Sequence, residues 1–351
     1  MTNLEKMGWT QPIEKEEHDK LARVLTVQKN SYRLSDGDRE FLGQVSGKYL
    51  HTANGTLDFP AVGDWVVVEK LYDEEKAVIK ELLPRTSQFI RQAAGDRTEA
   101  QIVAANIDTV FIVNALDHDF NSRRIERYIL STYESGASPV IVLTKKDSCT
   151  LERIEEVISD TEEIAIGVPI ISVSGQTGEG LDQLLSYLPP GKTGALLGSS
   201  GVGKSTLINT LLGKEVQETK EIREDDSKGR HTTTHREMFR LPNGALLIDT
   251  PGMRELQLWD GQEAIGTTFQ DVEALVEACR FTDCKHDTEP GCRVKEAIDN
   301  GELSTDRFQS YLKLQRELAY EKRKQDQKAL IEEKNKWKQV SKDQKKKYRA
   351  R

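Results

Sequence analysis

Short apolar runs broken by turn residues fill the first quarter of the chain. Val24–Val27, Tyr32–Leu34, Phe41–Val45, Asp64–Val68 and Ala77–Ile79 are such runs, and Asp36-Gly37, Asn54-Gly55 and Val62-Gly63-Asp64 punctuate them. Five short strands within residues 21–90 predict an all-β barrel of the oligonucleotide-binding type, although the pattern serves a generic small barrel equally well. Residues 1–20 ahead of it are polar and acid-rich and read as an amino-terminal arm. From Ile107 the pattern changes. Thr109–Val113 and Pro139–Leu143 are unbroken apolar runs, as expected of parallel strands buried on both faces, and Arg123–Tyr133 and Leu151–Ser159 have helical spacing. Further strands are expected at Val168–Val173, Ala195–Leu197 and Ala245–Ile248. Residues 91–260 therefore predict an α/β domain with helices on both faces of a sheet. Residues 261–351 read as helical, then cysteine-rich, then helical. Lys313–Lys347 contains no Pro or Gly and suits one or two long exposed helices.

Composition adds constraints. With 351 residues, 36% hydrophobic and 31% charged, the chain has room for several cores under a highly charged surface. No run of 18 apolar residues exists to cross a membrane. The acid-rich amino terminus lacks the basic-then-apolar order of a signal peptide, and no terminal lipidation motif is present. A cytoplasmic protein without a membrane partner is expected. The net charge of −8 is unevenly spread: Glu321–Arg351 holds 13 Lys/Arg against 5 Asp/Glu, a net of +8, which leaves −16 on the residues before it. An acidic body with a basic tail fits a polyanionic partner engaged locally, or equally a solvated lysine-rich helix.

The chemistry begins at Gly198-Ser199-Ser200-Gly201-Val202-Gly203-Lys204-Ser205-Thr206, a G-x-x-x-x-G-K-[ST] phosphate loop between an apolar strand and a helix over Thr206–Leu212. Glycines let backbone N–H groups converge on phosphate oxygens, and the helix start adds positive potential. Lys204 is expected to reach the β- and γ-phosphates, and Ser205 to ligate Mg²⁺ bound with the nucleotide. Downstream, the strand Leu246–Ile248 runs into Asp249-Thr250-Pro251-Gly252, a D-x-x-G turn. Asp249 stands where a magnesium-supporting carboxylate is needed, and the Gly252 N–H can meet the γ-phosphate. Between the two lies Lys228-Gly229-Arg230-His231-Thr232-Thr233-Thr234-His235. Thr233 or Thr234 can ligate Mg²⁺ and sense the γ-phosphate, and the sequence does not choose between them.

Base choice is assigned to Thr144-Lys145-Lys146-Asp147, an N/T-K-x-D motif after a strand. Asp147 can accept from guanine N1–H and the 2-amino group, and the Lys145 stem can stack on the base. Ser174-Gly175-Gln176 resembles the S-A-K loop that supports guanine, with Gln at its third position. These guanine motifs precede the phosphate loop, whereas in ordinary GTPases they follow it. The order is that of a circular permutation, which preserves every contact in space.

With Gly229–Thr234 and Asp249-Thr250-Pro251-Gly252-Met253-Arg254, this order resembles the circularly permuted, small-ribosomal-subunit-dependent GTPases (RsgA/YjeQ). The resemblance covers nearly the whole chain. It implies a multidomain protein: an OB-type barrel, a permuted P-loop GTPase domain and an α-helical zinc-binding domain. It also implies GTP hydrolysis stimulated by the small (30S) ribosomal subunit, action late in that subunit's assembly, and binding to its 16S rRNA. A monomer is expected. Two features depart from the pattern: Thr144 stands where most GTPases have Asn, and the tail after Glu321 is longer than the resemblance requires.

Cys279-x4-Cys284-x-His286-x5-Cys292 supplies three thiols and an imidazole, a tetrahedral set for one structural Zn²⁺ with no position left for a catalytic water. Clustered cysteines in a reducing compartment are more often ligands than disulfide partners. The fourth, Cys149, reads as a packed thiol. The residue after D-x-x-G, often a water-orienting Gln, is Met253, which cannot orient water. His231 is the expected replacement, an imidazole able to orient water near neutral pH, and the resemblance favours it too. The alternative to a subunit-timed enzyme is a nucleotide-gated RNA-binding clamp whose hydrolysis is incidental.

Overall fold

A capping box starts the fold. In α1 (Asn3–Lys6), Thr2 Oγ1 accepts from the Glu5 N–H at 3.2 Å, and the Glu5 carboxylate accepts from the Thr2 N–H at 2.7 Å. Leu4 and Met7 are buried, so the polar arm begins with a packed turn, too short for any periodicity to announce it. The computed structural model describes residues 2–11, 20–28, 31–53, 55–71, 75–92, 100–117, 120–213, 236–249, 262–287, 289–320 and 322–323. They fall into two units, Met1–Gln257 and Leu258–Arg351.

Five strands form the barrel: β1 (Leu21–Gln28), β2 (Ser31–Ser35), β3 (Glu40–Val45), β4 (Trp65–Leu71) and β5 (Lys76–Leu82), with α2 (Gly47–Thr52) between β3 and β4. They pair in the order β1-β2-β3-β5-β4, and β4 returns to β1 through Leu21↔Val67, Ala22↔Val66 and Arg23↔Trp65. The result is a closed, OB-like barrel. Its centre is Val24, Leu34, Phe41, Val66, Val68 and Ile79. A separate antiparallel hairpin follows, β6 (Gln88–Gln92) and β7 (Ala100–Ala105). Its alanines and glutamines have weak strand propensity, which hid it in the sequence.

The α/β part runs β8 (Thr109–Ala115), α3 (Ser122–Ser135), β9 (Ser138–Thr144), α4 (Leu151–Ile164), β10 (Ile170–Ser172), α5 (Leu181–Ser186), β11 (Thr193–Leu197), α6 (Lys204–Leu212), β12 (Glu237–Arg240) and β13 (Leu246–Asp249). Its strands lie in the order β10-β9-β8-β11-β13-β12, parallel except for β12. Alternate residues of one strand serve opposite layers. Val110 and Ile112 pack in the layer of Ile125, Ile129, Ile154 and Val157 from α3 and α4. Phe111 and Val113 pack in the layer of Leu184 from α5 and Leu207 and Ile208 from α6. Covering both faces is what made these strands continuous apolar runs in the sequence.

Barrel and α/β part are one hydrogen-bonded sheet, because β12 also pairs with β1 at Thr26↔Glu237. An Arg33–Glu237 ion pair reinforces the junction. Beside it, Arg23 is almost fully buried, with its Nε donating to the Gly63 carbonyl at 3.1 Å, its Nη2 to Asn106 at 2.9 Å and its Nη1 to Met7.

The second unit contains α7 (Gln262–Thr268), α8 (Gln270–Glu277), α9 (Arg293–Asp299) and α10 (residues 305–320). Phe269, Val272, Val294, Ala297, Phe308 and Tyr311 are buried within it. Arg307 grips Asp271 through two bonds of 2.9 and 3.1 Å and lies 4.2 Å from the Phe269 ring centre. Most of the basic tail, from residue 324, lies outside the described residues. Among the described residues no helix is long and apolar enough to cross a membrane.

Replacing Arg23 by Met removes the donor of the Met7 and Asn106 carbonyls and leaves Gly63 with only the Asn106 amide, at about 1–3 kcal/mol for each unsatisfied buried group. Arg23→Met is expected to destabilise the first unit by about 3 kcal/mol or more, read from urea unfolding by tryptophan fluorescence. Trp9 and Trp65, edge to face at 4.9 Å beside this arginine, report the change.

Candidate functional site

Parallel strands bring their carboxyl ends to one edge of the sheet, and the loops there carry the motifs. Thr144–Asp147 leave β9, Ser174 follows β10, Gly198–Gly203 leave β11, and Asp249 ends β13. In the phosphate loop Gly201 and Gly203 have φ of +77° and +89°, where a side chain is strained. At Gly198 a Cβ would lie 2.4 Å from the Val113 carbonyl oxygen. Gly203 caps α6 without a side-chain bond, so the first amides of that helix have no side-chain acceptor at the cap. Lys204 Nζ donates to the Gly198 carbonyl at 2.8 Å and to that of Ser199. Ser205 and Thr206 follow in the first turn of α6, and Ser200 and Val202 lie within the loop.

Thr144 is buried, and its hydroxyl donates to the Val202 carbonyl at 2.5 Å. The threonine in the asparagine position thus ties the guanine motif to the phosphate loop. Lys145 adopts φ +64° and its Nζ lies 2.6 Å from Asp117 Oδ2. Lys146 pairs with Glu179 at 2.6 Å. Asp147 Oδ1 accepts from Ser174 Oγ at 2.5 Å and Oδ2 from Ser148 Oγ at 3.0 Å. The Ser174 bond, followed by that of Ser148, holds the Asp147 carboxyl below its ordinary range despite some loss of hydration. Ser174 is buried and accepts from the Thr177 N–H at 3.0 Å, which fixes its hydroxyl for Asp147. Thr210 Oγ1 donates to the Gly175 carbonyl at 2.6 Å, so the Ser174 loop is fastened to α6 behind the phosphate loop.

The Thr144 and Ser174 loops are therefore both tied to the phosphate-loop region, one through Val202 and the other through Thr210 of α6. Asp117 and Glu179 are polar partners that the motifs did not reveal, since they lie 28 and 33 positions from the lysines they hold; Ser148, next to Asp147, falls just outside the motif. His231, Thr233, Thr234, Gly252 and Met253 lie outside the described residues.

In the second unit the ligand atoms of Cys279, Cys284, His286 and Cys292 all lie within 4.8 Å of one another. His286 Nδ1 is 3.6 Å from the Cys279 sulfur and 3.5 Å from that of Cys292. A tetrahedral zinc with ordinary Zn–S and Zn–N lengths sets that separation at about 3.5 Å, so the cluster fits a metal. His286 has φ +60°, a left-handed turn two residues after Cys284. The Arg280 N–H donates to the Gly291 carbonyl at 3.2 Å, which closes the loop and returns Cys292 to the other ligands. Cys292 caps α9 and its sulfur accepts from the Lys295 N–H at 3.5 Å. Although burial works against it, the Cys279 thiol is held below its usual range by the amides of Val294 and Arg293.

The sequence profile of the RsgA GTPase family matches residues 82–259. The chain is 49% identical over 330 residues to the small ribosomal subunit biogenesis GTPase RsgA 1 of Oceanobacillus iheyensis, covering 93% of each chain. It belongs to the RsgA GTPase family. Among solved structures it resembles YjeQ from Thermotoga maritima, with a TM-score of 0.64, 25% identity, and 86% of this chain and 98% of that chain covered. Its fold also resembles YloQ, described as a circularly permuted GTPase, with a TM-score of 0.63, 23% identity, and 88% and 98% covered. An ABC transporter profile matches residues 181–348, a span that includes the phosphate loop and its flanking strand and helix, which P-loop proteins share.

The Ser174–Asp147 bond yields a direct measurement. Ser174→Ala is expected to raise the titration midpoint of Asp147 toward the ordinary 3.8, because its largest stabilising hydrogen bond is lost. Carbon-13 NMR of labelled aspartate follows the midpoint, and an unchanged value would contradict the assignment.

Proposed function

We propose that the chain hydrolyses GTP in the biogenesis of the small ribosomal subunit. It works as a cytoplasmic monomer that docks on the 30S particle through 16S rRNA. The observation that carries this reading is the pairing of Asp147 with Ser174 beside the phosphate loop, in a chain of the RsgA family. That pairing supports guanine over adenine, because an acceptor-only carboxylate needs the two donors that guanine presents. Asp117 holds Lys145 so that its stem covers the base. Gly198, Ser199, Ser200, Gly201, Val202 and Gly203 wrap the phosphates, the α6 amides face them, and Lys204 turns from the loop carbonyls to the β- and γ-phosphates.

Hard oxygen donors suit Mg²⁺: the Ser205 hydroxyl and that of Thr233 or Thr234 hold it, with Asp249 behind. Bound there, Mg²⁺ would supply positive charge to offset that of the triphosphate. Gly252 N–H meets the γ-phosphate, and His231 orients the attacking water in place of the glutamine that Met253 replaces. The Cys279, Cys284, His286 and Cys292 set holds one structural Zn²⁺ that shapes the second unit.

GTP turnover is expected to rise when purified small subunits are added and to stay unchanged with large ones. His231→Ala should abolish the rise while leaving nucleotide affinity intact, as judged by steady-state phosphate release at saturating GTP. Small subunits that bind the native chain without raising turnover would favour the clamp reading. Structural zinc is worth about 10 kcal/mol or more in small domains, so Cys284→Ser is expected to lose the ion and lower the melting temperature of the second unit. Elemental analysis of chelator-free native protein should find one zinc per chain.

A further inference from the structure

A line of hydrogen bonds runs from the helix behind the phosphate loop to the carboxylate assigned to the base. It begins at Thr210 in α6, the helix whose first turn carries Lys204 and Ser205. The Thr210 hydroxyl has two carbonyls in reach. That of Gly175 is 2.6 Å away, and that of Thr206, four residues back in the same helix, is 2.9 Å away. With a single proton to give, the hydroxyl favours the shorter contact. Gly175 has no side chain to hold the loop off the helix. A Cβ there would lie 3.2 Å from Thr206 Cγ2 and 3.5 Å from the Leu207 nitrogen, so the loop already rests on α6.

The line continues through one peptide plane. In a trans peptide the C=O of one residue and the N–H of the next point in opposite directions, so a partner at each end fixes the plane. Thr210 holds the Gly175 carbonyl, and the Gln176 N–H at the other end donates to Ser174 Oγ at 3.3 Å. The same oxygen accepts from the Thr177 N–H at 3.0 Å and donates to Asp147 Oδ1 at 2.5 Å. Bonds in such a chain polarise one another, and Ser174 is fully buried, where water does not weaken the effect.

We infer that Thr210 is a positioning residue for guanine discrimination: through the Gly175–Gln176 peptide and the Ser174 hydroxyl it sets the direction in which the Asp147 carboxylate faces the base. Guanine offers that carboxylate two donors, N1–H and the 2-amino group, whereas hypoxanthine offers N1–H alone. Meeting two donors at once demands a fixed plane, as in any bidentate pair. A carboxylate left to swing keeps one bond at the expense of the other. The helix that starts at the phosphate loop thereby aims the group that reads the base. This role rests on the guanine reading above.

The test compares the full-length native chain with Thr210→Val, Thr210→Ala and Thr210→Ser. Displacement of a fluorescent GDP analogue by GDP, IDP and ADP in magnesium buffer gives each affinity. The native chain is expected to prefer GDP over IDP by about tenfold or more, the worth of one hydrogen bond to a charged group. Thr210→Val keeps the shape and helix propensity of threonine and is expected to lower that preference about fivefold. Thr210→Ser, which retains the hydroxyl, should restore it. Thr210→Ala, a stronger helix former, should show the same loss without the valine methyl groups. A native GDP-to-IDP preference in both hydroxyl-free variants overturns the inference. So does an equal weakening of GDP and IDP, which would make Thr210 a support of the helix alone. If the native chain binds ADP as well as GDP, the guanine reading falls and takes this role with it.

Discussion

Arg23 carries a positive charge to a place almost without water, where carbonyl oxygens of Met7, Gly63 and Asn106 surround it. Burial pulls its pKa down to about 10, opposed by the more distant charges of Asp108 and Asp64, so the guanidinium stays protonated at neutral pH. Its three acceptors come from the amino-terminal turn, the approach to β4 and the bend between β7 and β8. Each of these depends on the others. Gly63 has φ +92° and no room for a Cβ, which would lie 2.0 Å from the Ala105 carbonyl oxygen. Asn106, also in the left-handed region, donates its amide to Gly63 and accepts from the Thr86 N–H. A second arginine extends the joint: Arg85 holds the buried Asp64 through both carboxylate oxygens and also bonds the Leu57 and Phe59 carbonyls. Removing Arg23 would strand the buried Met7 and Asn106 carbonyls, and removing Arg85 would leave the buried Asp64 carboxylate without its cation.

The nucleotide edge uses the same economy of fixed polar groups on rigid supports. Thr144 and Thr210 are small hydroxyl side chains, and each fastens one recognition loop to another element by a single bond. Lys145 and Lys146 are each matched by a carboxylate from a different loop, Asp117 and Glu179. The polar groups of this edge are thereby fixed in place by the protein itself.

Much of this was legible in the sequence, and for physical reasons. Strands β1 to β5 announce themselves as short apolar runs between turn residues, and β8 and β9 as unbroken ones, because both faces of the α/β sheet are covered. The phosphate loop and the Cys/His cluster are legible because their chemistry is local, with four ligand residues inside one short loop. What escaped is what tertiary contact decides. Strand β12 is four residues long and takes its conformation from neighbours on either side; α1 and α5 are too short to show a face. Thr210 and Asp117 reveal nothing at the sequence level, because the residues they serve lie 35 and 28 positions away.

Strand β12 follows residues 214–235, which include His231, Thr233 and Thr234, and it is laced on both sides. One neighbour is β13, which ends in Asp249; the other is β1 of the barrel. A torque on the barrel therefore reaches this strand through hydrogen bonds and an ion pair, with no slack tether to absorb it. Strand registers cannot creep, since a slip of one residue would turn Glu237 and Met238 to opposite faces. The barrel thus acts as a handle welded to β12, and whatever grips that handle pulls directly on a strand of the α/β sheet.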